Sequence, residues 1–172
     1  GDPGDIYICL GSENIDLEPE LVLHGEDYAP DPYHLGFTGI NAGYDFNGDG
    51  YNDILAGGEG DDYTWRGMVA IFFGGEELDS EADFLILGNT WNELGKYKTA
   101  GDINGDGCDD LIISRNAARE LNSPIKFEIY LGGSNMDAVM DFEFDDTYFY
   151  ESPISNQGDF NGDGFDDIVI ST

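Results

Sequence analysis

Asp45-Phe46-Asn47-Gly48-Asp49-Gly50-Tyr51-Asn52-Asp53 returns as Asp102-Ile103-Asn104-Gly105-Asp106-Gly107-Cys108-Asp109-Asp110 and again as Asp159-Phe160-Asn161-Gly162-Asp163-Gly164-Phe165-Asp166-Asp167. The three copies start at 45, 102 and 159, so each lies 57 residues from the next. A constant period of that length describes a supersecondary unit. Each copy runs directly into an apolar stretch: Ile54-Leu55-Ala56, Leu111-Ile112-Ile113 and Ile168-Val169-Ile170. A second apolar stretch closing on Gly-Gly or Gly-Ser recurs at 6–12, 69–75 and 127–133.

These stretches are short, rich in β-branched and aromatic residues, and bounded by Gly, Asn, Asp and Ser, which predicts strands. One period holds four of them, at 97–102, 110–114, 125–131 and 140–144. Four antiparallel strands per repeat suit a β-propeller blade, so the expected fold is all-β. Repeat units fall at about 5–66, 67–123 and 124–172, phase-shifted so that the first starts in the third strand of a blade. The first unit is longer, with an insertion near 28–33 that reads as a loop on one face. Propellers close with about 4–8 blades. Three periods therefore point to a partial propeller or to one assembled from several chains.

The nine-residue loop places oxygen-bearing side chains at positions 1, 3, 5 and 9 and a glycine at position 6, where the chain must turn sharply. That pattern suits a hard cation, and calcium tolerates a cage made wholly of protein better than magnesium does. The expected ligands are Asp45, Asn47, Asp49 and Asp53, then Asp102, Asn104, Asp106 and Asp110, then Asp159, Asn161, Asp163 and Asp167. Tyr51, Cys108 and Phe165 at position 7 would offer only backbone carbonyls, so their side chains are free to vary. Soft metals lack imidazole or thiolate ligands here. The loop is similar to an EF-hand through its first positions, but position 12 is Ala56, Ile113 or Ile170 instead of a glutamate, and a strand follows. The expectation is three Ca²⁺ ions clamping three β-hairpins.

These residues resemble FG-GAP repeats, the calcium-binding propeller blades of integrin α-like proteins. Besides the loop, the likeness rests on Leu35-Gly36 and Leu94-Gly95 at the Phe-Gly position and on Ala56-Gly57-Gly58 near the Gly-Ala-Pro position. The third unit departs from it, with Glu151-Ser152 in place of Phe-Gly. The resemblance implies a calcium-stabilised blade with the ion between its first and second strands, in an extracellular or cell-surface protein.

Composition narrows the function. Asp and Glu number 37 against 6 Lys and Arg, giving a formal charge of −31. Nucleic acid is excluded as a partner, because phosphate neutralisation needs basic side chains. The longest apolar runs fall far short of the ~20 residues of a bilayer span, so no membrane insertion is expected. No nucleophile–base pair or Gly-x-Ser-x-Gly stands out, so the chain reads as a non-enzyme. The leading function is adhesion or ligand binding, with a protein or carbohydrate contacted on the face opposite the calcium hairpins. Loops at 24–34, 59–66, 89–93, 115–123 and 145–151 belong to that face, carrying Tyr28, Tyr33, Tyr63, Trp65, Trp91, Tyr148 and Tyr150. The alternative is a homo-oligomer or filament built by blade-to-blade contacts, and a third is part of a polysaccharide lyase or hydrolase propeller. Cys9 and Cys108 read as buried thiols, with a bridge between them left open. His24 and His34 read as loop packing.

Overall fold

The apolar runs at the centre of the two four-stranded sheets form strands whose two faces enter different cores. The computed structural model describes residues 3–13, 17–28, 34–60, 65–90, 92–96, 98–116, 125–146, 154–155 and 158–170. Two strands, β1 (Asp5–Ile8) and β2 (Leu21–His24), pair antiparallel. A four-stranded sheet follows, β3 (Leu35–Tyr44), β4 (Asp53–Glu59), β5 (Gly67–Phe72) and β6 (Phe84–Leu87), in chain order. The second such sheet is β7 (Lys98–Gly101), β8 (Asp110–Asn116), β9 (Ile125–Tyr130) and β10 (Phe142–Asp146). A pair, β11 (Ile154–Ser155) and β12 (Val169–Ile170), comes last. Every pairing is antiparallel, and the described residues contain no α-helix, only a 3₁₀ turn at Gly25–Asp27. The fold is all-β, with two complete four-stranded blades of the propeller type. Among the described residues no helix is long and apolar enough to cross a membrane.

The cores lie between sheets. Along β5, Val69 and Ile71 enter the core shared with the second blade, while Met68, Ala70 and Phe72 enter the one shared with β1 and β2. Along β8, Leu111 and Ile113 face back toward the first blade and Ile112 faces β11 and β12. A strand buried on both faces must be apolar at every position, which is why these runs lack alternation. In the core between the blades, the buried Glu128 is held by Arg115, whose Nε lies 2.7 Å from its Oε1, and by the Tyr130 hydroxyl, which donates to Oε2 at 2.8 Å. Burial and the adjoining Glu128 carboxylate raise the Tyr130 hydroxyl above the usual phenol range.

The predicted strand at 140–144 lies two residues later, at Phe142–Asp146. Asp141 ends the preceding turn instead: its carboxylate accepts the Leu131 N–H at 2.8 Å and its own N–H donates to the Ile129 carbonyl at 3.0 Å. The cysteines are also corrected. Cys9 is exposed and Cys108 half-buried, and both are free thiols, because Cys9 follows an exposed strand end and Cys108 sits on a hairpin tip. His24 closes β2, with Nδ1 3.1 Å from Asp5 Oδ1. His34 packs its ring against Phe37 at 6.1 Å.

Candidate metal centres at the hairpin tips

The connection between the first and second strands of each blade coils by the same local rules. Asp45 Oδ1 accepts the N–H of Gly48 at 2.8 Å and of Asp49 at 3.0 Å, and its Oδ2 accepts that of Gly50 at 2.9 Å. Asp102 repeats this with Gly105, Asp106 and Gly107 at 2.7, 3.0 and 2.9 Å, and Asp159 with Gly162, Asp163 and Gly164 at 2.6, 3.1 and 2.8 Å. Such a coil needs left-handed backbone at positions 4 and 6. Gly48 and Gly50 have φ of +76° and +87°, and the other two loops match them.

Positions 3 and 5 are drawn into the same coil. Asn47 Oδ1 accepts the Asp49 N–H at 2.9 Å while its Nδ2 donates to Asp49 Oδ2 at 3.0 Å, and Asp49 Oδ1 accepts the Tyr51 N–H at 2.8 Å. Asn104 and Asp106 repeat these contacts, the last of them with the Cys108 N–H at 2.9 Å. In the third loop Asp163 accepts the Phe165 N–H at 3.1 Å.

Position 9 behaves differently. Asp53 and Asp110 are fully buried and use both oxygens on backbone amides. Asp53 accepts Phe46 N–H at 2.7 Å and Gly74 N–H at 2.8 Å; Asp110 accepts Ile103 N–H at 3.0 Å and Gly132 N–H at 2.8 Å. Asp167 accepts the Phe160 N–H at 2.8 Å. This aspartate ties its loop to the connection between the third and fourth strands, a role that loop spacing gives no sign of. Among the described residues no three His, Cys, Asp or Glu side chains converge as a metal-holding group. Each of the first two loops instead draws one asparagine in among its aspartates, as Asn47 beside Asp49 and Asn104 beside Asp106.

The electrostatics decide what that set suits. Asp53 and Asp110 are both pushed up to about 6, first by burial, then by Asp45 and Asp49 in one loop and Asp106 and Asp102 in the other, against the amide bonds that lower them. Exposed Asp159 is held below the usual carboxylate range, chiefly by the Gly164 amide. Burial raises the Cys108 thiol, helped by Asp106 and Asp45. Of the basic residues described, Arg66, Lys96, Lys98, Arg115 and Lys126, all flank the connections at the other end of the blades. Carboxylates pressed together with no protein cation beside them fit a hard divalent cation from solution.

The aromatic candidates divide. Tyr28 packs edge-on against Phe72 with ring centres 5.3 Å apart, and its hydroxyl, pushed up to about 12 by burial, donates to the Ser80 carbonyl at 2.5 Å. It is a packing residue. Trp65 stands at the opposite end with φ +46°, its carbonyl accepting the N–H of Glu93, which has φ +41°. Tyr33, Tyr63, Trp91, Tyr148, Tyr150 and the Glu151-Ser152 pair lie outside the described residues.

Blades of four antiparallel strands with an oxygen-lined loop between the first two define a class of repeat propellers. No family model matches the chain. Integrin alpha-4 of Xenopus laevis is 29% identical to it over 147 residues, which is 80% of this chain and 14% of that protein. Phosphatidylinositol-glycan-specific phospholipase D of Rattus norvegicus is 33% identical over 124 residues, 64% of this chain and 14% of that protein, and its Bos taurus counterpart is 31% identical over 122 residues. The chain is a distant relative of both kinds of protein, which supports the likeness of its repeats to the FG-GAP family. It spans 14% of the length of the relatives it matches.

Proposed function

We propose that this chain is a calcium-binding FG-GAP propeller module that works in adhesion or ligand binding outside the cell. The observation that carries the reading is the three-fold recurrence of one oxygen-rich loop at an end of the blades that holds no described basic side chain. Positions 1, 3, 5 and 9 would hold calcium by side-chain oxygens and position 7 by its carbonyl; the ion would neutralise carboxylates that otherwise repel. Three such ions bring −31 to −25, so the surface stays acidic. Extracellular modules of modest affinity bind calcium at ~10⁻⁴ to 10⁻³ M, which favours a location outside the cell.

The partner, a protein or a carbohydrate, would meet the opposite loops, where Trp65 and Glu93 are held in left-handed conformations uncommon for such residues. The matched relatives include an integrin and a phospholipase, so the repeat serves as scaffold in this reading and no reaction is assigned to it.

Melting the protein in calcium at about a hundredfold excess over such a Kd, roughly 10–100 mM, and again without calcium in excess chelator tests the calcium step. At a hundredfold excess over Kd each loop adds about 2.7 kcal/mol of stability. For a chain of this size, three loops correspond to a loss of roughly 15–30 °C in Tm on chelation. Identical melts would overturn the reading.

A further inference from the structure

Successive hairpin tips interlock, and the residues that do this lie between expected ligands. The Asp109 N–H donates to the Asp45 carbonyl at 2.9 Å while the Asp45 N–H donates to Asp109 Oδ2 at 2.7 Å, so the two residues close a ring across the blade boundary. The Gly133 N–H adds a bond to the Phe46 carbonyl at 2.7 Å. One blade further on, the Asp166 N–H donates to the Asp102 carbonyl at 2.8 Å.

The side chains at position 7 repeat the pattern. Cys108 Sγ lies where a methyl group on Gly48 would come within 2.7 Å, and a Phe165 ring carbon lies where one on Gly105 would come within 2.8 Å. Glycine at position 4 therefore admits the next loop as well as the local turn.

We propose that Asp109, at position 8, is a positioning residue that couples the first two loops, so that an ion in one raises the affinity of its neighbour, and that Asp166 continues the link through its backbone N–H. The inference rests on the calcium reading above. Asp109 is flanked by Cys108 and Asp110, two expected ligands of the second loop, and is bonded through both its backbone N–H and its carboxylate to Asp45, the first ligand of the loop before. Fixing Asp45 around an ion fixes Asp109, and with it the two ligands beside it. The ordering cost of the second loop is then partly met before its ion arrives. By linkage the effect is reciprocal. Sequence alone shows an acid at position 8 in two loops and Asn52 in the other, with nothing to say what it touches.

The test uses the full chain, labelled with ¹⁵N and titrated with calcium chloride. The amides of Gly50, Gly107 and Gly164 each donate to the first aspartate of their own loop and so report the three loops separately. Asp106→Asn weakens the second loop, and coupling requires the first loop's affinity to fall with it, by about tenfold. Asp109→Ala should lower the first loop's affinity by itself and shrink its response to Asp106→Asn, whereas Asp109→Asn, which keeps an acceptor for the Asp45 amide, should restore both. An unchanged first loop in Asp106→Asn overturns the coupling, and that comparison decides even if Asp109→Ala fails to fold. Three amides that shift at independent midpoints leave calcium binding standing and remove only the coupling. Amides that never shift in calcium remove both.

Discussion

The two ends of each blade solve opposite electrostatic problems. At the hairpin tips, carboxylates are gathered by backbone amides and no described lysine or arginine reaches them. At the other end the described basic residues are engaged within the protein: Arg115 with buried Glu128, Lys96 with Glu93 at 3.1 Å, and Lys126 with Glu143 at 3.2 Å. Lys98 spans the blades to donate to the Thr38 carbonyl at 2.8 Å. The contrast teaches that a net charge of −31 is not spread evenly. At one end Glu128, Glu93 and Glu143 each have a cation from the chain itself, while at the other the described carboxylates have none.

That difference can be broken first at position 9. Asp110→Ala should cost about 2–5 kcal/mol, because the Ile103 and Gly132 amides lose a buried acceptor. The loss should persist in chelator. Asp106→Ala, on the exposed coil, should cost much less in chelator and show most of its effect only in calcium. Denaturant titrations of both variants in each condition check the pair, and an Asp110→Ala loss confined to calcium would show that position 9 binds the ion without buttressing the fold.

At the other end, Arg115→Ala leaves the Glu128 carboxylate buried with only Tyr130 beside it. A loss of about 3 kcal/mol is expected, equal with and without calcium, and measurable by the same denaturant titrations. A calcium-dependent loss would show that the two ends are not separate.

The smallest effect concerns Lys98, whose burial pulls its amine down from 10.5 to about 8. The folded chain gives up this proton near pH 8 and the unfolded chain keeps it to about 10.5, so the unfolded state binds more protons across that window. Stability from this group therefore rises with pH between those values, as the penalty of burying the charge is relieved. Lys98→Met should melt above the parent at pH 7, by about 1–2 kcal/mol after losing the bond to Thr38, and the gap should close toward pH 10. A gap independent of pH would mean that the amine is solvated.

Much of this was legible in the chain because its causes are local. The bonds of Asp45 reach only three to five residues ahead, so Asp-x-Asn-Gly-Asp-Gly is enough to predict the coil. The uninterrupted runs at 54–56 and 111–113 announce strands covered on both faces. A buried Cys108 does not follow from the chain, because a thiol's preference for the interior is an average and its place on a tip outweighs it. The strand at 142–146 starts two residues later than Met140 suggests, because the carboxylate of Asp141 claims the turn.

The sequence by itself determined the repeat, the strands and the oxygen-rich coil, since each depends on contacts within a few residues and on the spacing of apolar side chains. Only the assembled sheets decided that Asp53 and Asp110 would turn inward to Gly74 and Gly132 and that Glu128 would be buried with Arg115, and only the stacking of blades that Asp109 would reach Asp45. Those partners lie 21, 22, 13 and 64 residues apart, and no local preference specifies which amide or carboxylate will be brought opposite another when two faces pack.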